Sequence, residues 1–269
     1  MNNHLKKLIT KDREVRLFLV DTTHVLSGNK LSEMKSEFAK NLYTRIFTCC
    51  SLLRGLLATE DQRLSMKIQL EPRGYYANAE VDGYGHVNCT LSPELKSYDG
   101  RYSDLVGESS IISITRGSWV GGMFTGTVEL TSDSIEFALS HFYSQSEQLE
   151  TTFVTWGGPW VTGGLMIQPL PFADLAKLSD LVDTLRSVSE REVEERIFSQ
   201  ATVIEEYQIK PDCNCSKDAF FGILMGIDVA ALQESIKKNR SEELECGICG
   251  TKYSFDKNDL MEIVKMKED

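Results

Sequence analysis

The chain has 269 residues, with 29 Lys and Arg against 40 Asp and Glu, a formal net charge of -11. That acidity repels phosphate backbones and argues against sequence-independent nucleic-acid binding, and no stretch approaches the roughly 20 apolar residues of a membrane-spanning helix. With 41% hydrophobic and 26% charged residues, the chain can bury a real core and does not need its cysteines as staples for a tiny fold.

The N-terminus, MNNHLKKLITKDREVRLF, is too polar for a secretory signal, so the expected compartment is the cytoplasm, where thiols stay reduced. EVRLFLVDTT (14–23) predicts a strand from its β-branched and aromatic residues. A helix is predicted from Ser32 to about Thr59, because Phe38, Leu42, Ile46, Cys49, Leu53 and Leu56 recur at spacings of three and four. Cys49 lies on that stripe and reads as a small core hydrophobe. RLSMKIQLE (63–71) alternates with period two, and turn signals follow at Pro72–Gly74 and Asp82–Gly85. SSIISITRG (109–117) and FTGTVEL (124–130) predict further strands. Ser132 or Asp133 is expected to cap a helix carrying Ile135, Phe137, Leu139 and Phe142, with short strands near 151–156 and 163–168. This order predicts an α+β domain over 1–171 with a substantial, mainly antiparallel sheet.

Residues 172–212 are rich in Asp and Glu and contain no glycine. They predict a charged helical linker with modest apolar faces and a capping signal at Ser187 with Glu190. Two readings fit it: a plain connecting helix, or a marginal segment whose folding depends on its neighbours. Residues 213–269 form a small cysteine-bearing module.

Of the seven cysteines, Cys213, Cys215, Cys246 and Cys249 make a C-x-C pair and a distant C-x-x-C pair. Four thiolates in two close pairs suit a tetrahedral metal site with Zn–S distances of about 2.3 Å. Gly247 and Gly250 allow the tight C-x-x-C turn. Thiolate-only ligation suits zinc or iron–sulfur, and zinc, one ion per chain, is the expected cofactor. Lys210, Lys217 and Lys252 lie near in sequence and could offset the site's negative charge. Zinc keeps cysteines as thiolates, the species oxidants attack, and each pair is close enough for a disulfide. Oxidation would expel the metal and unfold a module that depends on it. The same four residues are thus the expected metal ligands and the expected redox centre.

No catalytic signature competes with this reading. The chain has no P-loop, dinucleotide fingerprint, HExxH or GxSxG, and four cysteines would close the coordination position a catalytic zinc leaves open; the chain is not expected to be an enzyme. His4, His24, His86 and His141 are scattered. Cys89 reads as a strand residue. Trp119, Trp156 and Trp160 with Phe153 could line a binding surface, although such aromatics more often pack in a core or interface. The rival assignment is a zinc-ribbon-like module with a purely structural metal that binds protein or nucleic acid.

CNCSKD (213–218), ECGICGTKYSF (245–255), VRLFLVDTT (15–23), FTGTVEL with HFYSQSEQLETTF (141–153), and GGLMIQPLP (163–171) together resemble the redox-regulated bacterial heat-shock chaperone family of thirty-three kilodaltons. The likeness runs along essentially the whole chain in the same motif order. It departs around Tyr43–Thr44–Arg45, in VGESSIIS (106–113) and in GSWVGGMF (117–124). The resemblance implies an ATP-independent holdase that is zinc-bound and inactive when reduced. It further implies activation by oxidation, with disulfides Cys213–Cys215 and Cys246–Cys249, zinc release and linker unfolding. Unfolding client proteins would be its partners, and its active form a homodimer, with no membrane or nucleic-acid partner.

Overall fold

The computed structural model describes residues 3–24, 29–71, 73–118, 121–131, 134–157, 162–171, 173–187, 190–212, 215–246 and 251–268. The chain divides into two compact units, Met1–Pro211 and Asp212–Asp269. The expected boundaries were 171/172 and 212/213, so the stretch 172–211 lies within the larger unit.

The larger unit is α+β, with two five-stranded sheets. The first holds β1 (His4–Thr10), β2 (Val15–Asp21), β8 (Thr152–Gly157), β9 (Thr162–Pro169) and β10 (Ala201–Gln208), in the order β10-β1-β2-β9-β8. The second holds β3 (Gln62–Gln69), β4 (Tyr76–Asp82), β5 (Val87–Leu91), β6 (Ile111–Ser118) and β7 (Gly122–Glu129), in the order β5-β4-β3-β6-β7. Every named strand pair is antiparallel.

The helix α1 (Glu37–Leu53) packs against strands of both sheets. Its start is set by Ser36, whose hydroxyl accepts the Ala39 N–H, rather than by Ser32, which lies in a short 3-10 turn at Asn29–Glu33. Burial of Ile46, Phe47, Cys49, Cys50, Leu52 and Leu53 leaves the C-terminal half with almost no exposed side, the mark of a helix enclosed by the core. The helix α3 (Ile135–Ser146) follows Ser134 at its N-cap and packs on β7 and β8; the expected cap residues Ser132 and Asp133 lie outside the described residues. A short α2 (Pro93–Ser97) follows β5.

The first sheet is covered on both faces. Phe18, Val20 and Met166 join the core around α1, whereas Leu17, Leu19, Leu165 and Ile167 face the other way. That second face is covered by α4 (Leu175–Ser187) and α5 (Glu190–Gln200), which contribute Leu178, Val182, Leu185, Val193 and Ile197. Burial on both faces explains why β2 and β9 read as continuous apolar runs.

The segment expected to be helical through 212 is helical only to Gln200, and Ala201–Gln208 is an edge strand. Its ATVIEEYQ sequence does carry β-branched and aromatic residues. The two glutamates that made it read as charged linker face basic groups on β1, with Lys7 Nζ 3.2 Å from Glu205 and His4 3.8 Å from Glu206.

The smaller unit has α6 (Lys217–Leu224), α7 (Val229–Lys237), the hairpin β11 (Glu242–Glu245) with β12 (Lys252–Phe255), and α8 (Lys257–Glu268). Its core is small: Leu224, Leu232, Phe255, Leu260 and Ile263 are fully buried, with Phe220, Leu244 and Tyr253 packed at its edge.

Candidate metal centre

Cys246, the first cysteine of the C-x-x-C motif, directly follows β11 of the β11–β12 hairpin. Its ladder runs from Glu242 opposite Phe255 to Glu245 opposite Lys252, and Cys246 N–H donates to the Thr251 carbonyl at 2.9 Å. Period-two alternation puts Leu244, Cys246, Tyr253 and Phe255 on one face. That face is the inward one, since Cys246 is 4% exposed while Glu245 and Lys252 face solvent. Residues 247–250, including Cys249, lie outside the described residues.

The C-x-C motif immediately precedes α6. Cys213 lies outside the described residues, but Cys215 is placed: its Sγ is 3.0 Å from the Tyr253 hydroxyl, which also donates to the Cys215 carbonyl at 2.9 Å. Tyr253 is the diagonal neighbour of Cys246 on the inner face of the hairpin, so the segment bearing one cysteine pair is held against the strand that follows the other. The Tyr253 ring is stacked on Phe220 of α6, with centroids 5.0 Å apart. Lys217, at the start of α6, pairs with Asp259 of α8 at 2.7 Å. Lys252 lies 3.9 Å from Glu245. Two of the three lysines expected to offset thiolate charge therefore already face carboxylates.

These features fit a thiolate metal. Cys215 and Cys246 lie on segments that the hairpin and Tyr253 bring together, while Cys213 and Cys249 lie outside the described residues. Among the described residues, no group of three His, Cys, Asp or Glu side chains converges on one point. Sequence reading missed Tyr253 and Asp259. Tyr253 was legible only through the alternation KYSF, which aims Tyr253 and Phe255 the same way.

The remaining cysteines are far from this chemistry in character. Cys49 and Cys50 of α1 and Cys89 of β5 are 0%, 0% and 1% exposed. Burial pushes the Cys49 thiol well up, helped by the negative charge of Glu136, and burial likewise raises Cys50, helped by Cys89 and Glu80. A thiol held neutral inside a core is a poor nucleophile. Brief alkylation of the native, metal-stripped protein at pH 8 should therefore modify only the C-terminal cysteines, and denatured protein all seven. Mass spectrometry reads the count; modification of Cys49, Cys50 or Cys89 before unfolding would contradict their protection.

Of Trp119, Trp156, Trp160 and Phe153, the two that the structure describes pack in or against the core and do not form an exposed binding surface. Phe153 is 2% exposed within the core, and Trp156 is partly buried beside the layer formed with α4 and α5. Trp119 and Trp160 lie outside the described residues. Arg45, the residue of the Tyr43–Thr44–Arg45 stretch that keeps the pattern of the resembled family, lies 3.5 Å from the buried carboxylate of Glu136.

The family model described as Hsp33 protein matches residues 3–256, spanning both the two-sheet unit and the cysteine hairpin. The chain belongs to the Hsp33 family. Among curated relatives, the 33 kDa chaperonin of Lacticaseibacillus paracasei is 28% identical, with 100% of both chains covered. The 33 kDa chaperonin of Levilactobacillus brevis is 26% identical, with 98% of each covered. In fold, the chain is similar to the crystal structure of the Hsp33 homologue of Thermotoga maritima, with a TM-score of 0.79, 19% identity and 100% of both chains covered. No helix among the described residues is long and apolar enough to cross a membrane.

Proposed function

We propose that this Hsp33-family chain is a redox-regulated, ATP-independent holdase that protects unfolding proteins from aggregation in the cytoplasm under oxidative stress. The observation that carries the reading is that the family match runs through the unit in which Cys215 is held against the hairpin bearing Cys246. Cys213, Cys215, Cys246 and Cys249 would hold one zinc ion, which when bound keeps their sulfurs as thiolates and ties the two segments together. The chain acts as a binding protein for clients and not as an enzyme.

In the switch, Cys213 pairs with Cys215 and Cys246 with Cys249. For each pair, two thiolates give two electrons to hypochlorous acid; an S–S bond forms and, with one proton, the oxidant leaves as chloride and water. The ligands are then gone, and the small core around Leu224, Phe255 and Leu260 is left without its staple. On this reading the C-terminal unit, which begins at Asp212 just beyond the end of β10 at Gln208, unfolds together with the stretch 172–208. Loss of β10, α5 and α4 from the first sheet would uncover Leu17, Leu19, Leu165 and Ile167 for clients, and the active form would be a homodimer.

The test follows metal and activity together. Reduced protein is treated with hypochlorous acid while a metal indicator reports zinc and light scattering reports a denaturing client. About one zinc released per chain as scattering falls, with both reversed by thiol reductant plus zinc, is the expected result. Zinc release without any protection would leave the metal as a structural staple in a module with another task. Protection by the reduced, zinc-loaded form would remove the switch and leave a constitutive holdase.

A further inference from the structure

We infer that Tyr253 sets the oxidation threshold of the thiolate centre by hydrogen-bonding the Cys215 sulfur; this rests on the zinc-thiolate reading above. The Tyr253 hydroxyl is 3.0 Å from Cys215 Sγ and 2.9 Å from the Cys215 carbonyl oxygen. A phenol has one proton, so it cannot donate to both at once. With Cys215 as a thiol, the S–H donates to the phenol oxygen and the phenol donates to the carbonyl. With Cys215 as a thiolate, the sulfur can only accept, and the phenol proton turns to the charged atom, where a hydrogen bond is stronger.

The ring has little freedom to do otherwise. It stacks on Phe220, sits opposite Leu244 in the hairpin and packs against the core of the unit. Lys217 and Lys252 face Asp259 and Glu245, and the Tyr253 hydroxyl is a neutral donor that the fold places at this sulfur. Tyr253 is a positioning residue, since it would act through the Cys215 sulfur that its hydroxyl contacts.

A hydrogen bond withdraws electron density from a thiolate, and nucleophilicity falls with it. The affected step is attack of the Cys215 sulfur on hydrogen peroxide. An S–O bond forms, the O–O bond breaks, and hydroxide leaves, giving a sulfenic acid. A second cysteine thiolate then attacks that sulfur, forming S–S and expelling a second hydroxide. Two protons from solvent convert the hydroxides to water, and the two thiolates have supplied the two electrons that peroxide accepts.

The experiment compares full-length wild type with Tyr253→Phe, which keeps the ring stack and removes the hydroxyl. Zinc content is measured first. Zinc release is then timed in excess hydrogen peroxide and, separately, in excess chelator without oxidant. The expected result is about one zinc in both proteins and release by peroxide about three- to tenfold faster in the variant, the scale of one hydrogen bond, with a smaller change in the chelator arm. Equal peroxide rates would overturn the inference, as would equal acceleration in both arms, which would mean that the hydroxyl only supports packing. A wild type that carries no zinc would overturn the metal reading itself, and the inference with it.

Discussion

Cys246→Ser protein is expected to emerge from purification without tightly held zinc and with its C-terminal unit unfolded, while residues 1–171 keep their structure. Cys246 is 4% exposed and begins the turn of the hairpin whose far strand carries Tyr253 and Phe255. Serine keeps the shape and loses the thiolate, leaving three ligands where a closed structural site needs four. Structural zinc in small modules contributes an apparent binding energy of about 10–16 kcal/mol, which is also folding energy. Against it stands a core of five fully buried apolar side chains, far too little to order a segment of this length alone. Metal analysis should show zinc falling from about one per chain to less than a tenth of that, a change on the scale that removing one ligand from a metal-dependent fold implies. Limited proteolysis should cut beyond Asp212 and, with β10, α5 and α4 released on the holdase reading, also within 172–208, while a fragment of residues 1–171 persists. One tightly held zinc in this variant would show that the four-cysteine assignment is wrong. On the holdase reading, the same protein should suppress aggregation without oxidant.

How much of this was legible in the sequence follows from how locally each feature is encoded. The helix carrying Ile46 and Cys49 and the strand carrying Leu64, Met66 and Ile68 announce themselves, because their apolar residues repeat with the period of the element and face one large core. The first strand, His4–Thr10, does not: its two lysines interrupt the pattern, and Leu5 and Leu8 enter different apolar clusters on opposite faces of the sheet. β10 was hidden for a related reason. Glu205 and Glu206 look like a solvated face until β1 supplies Lys7 and His4 across the ladder, and no local window contains a partner that lies some two hundred residues away.

The cysteine pairs stand out in the sequence because C-x-C and C-x-x-C are spacings that few chemistries other than metal binding require. What lies around it was not. That Tyr253 meets Cys215 depends on how α6 docks on the hairpin, a tertiary fact that no spacing rule encodes. That Phe153 packs in the core and not on a surface is decided by where its strand sits in the sheet: β8 is at an edge, yet α1 and α3 cover the face to which Phe153 points.

Gly85→Ala should be strongly destabilising, with an expected loss of about 3–5 kcal/mol from backbone strain and overpacking together. Gly85 sits in the β4–β5 turn with φ +86, where alanine is strained in any surroundings. The Asp82 side chain fixes that turn by accepting the N–H groups of Tyr84 at 3.0 Å and His86 at 2.9 Å. A Cβ on Gly85 would stand 2.0 Å from the Gln208 carbonyl oxygen, which is main chain and cannot rotate away. Relief requires the end of β10 to move. That movement breaks the bonds from Lys210 N–H to the Gly85 carbonyl and from Val87 N–H to the Lys210 carbonyl, both 2.8 Å. It also disturbs Ile209, 1% exposed, and the Arg54 guanidinium stacked 4.0 Å over the Tyr207 ring. Gly122→Ala is the matched control. Its φ is +85, but its Cβ would meet nothing within 4 Å, so strain alone should cost it about 1 kcal/mol. Thermal melts of the two variants should therefore separate by several degrees, with Gly85→Ala about 10 °C below wild type on the usual scaling for a domain of this size. Equal melting points would mean that the approach of Gln208 to the turn contributes nothing. A lower melting point in Gly85→Ala alone, joined to partial protection of a client before any oxidant is added, would tie the holdase reading to the release of β10, because this substitution leaves every cysteine in place.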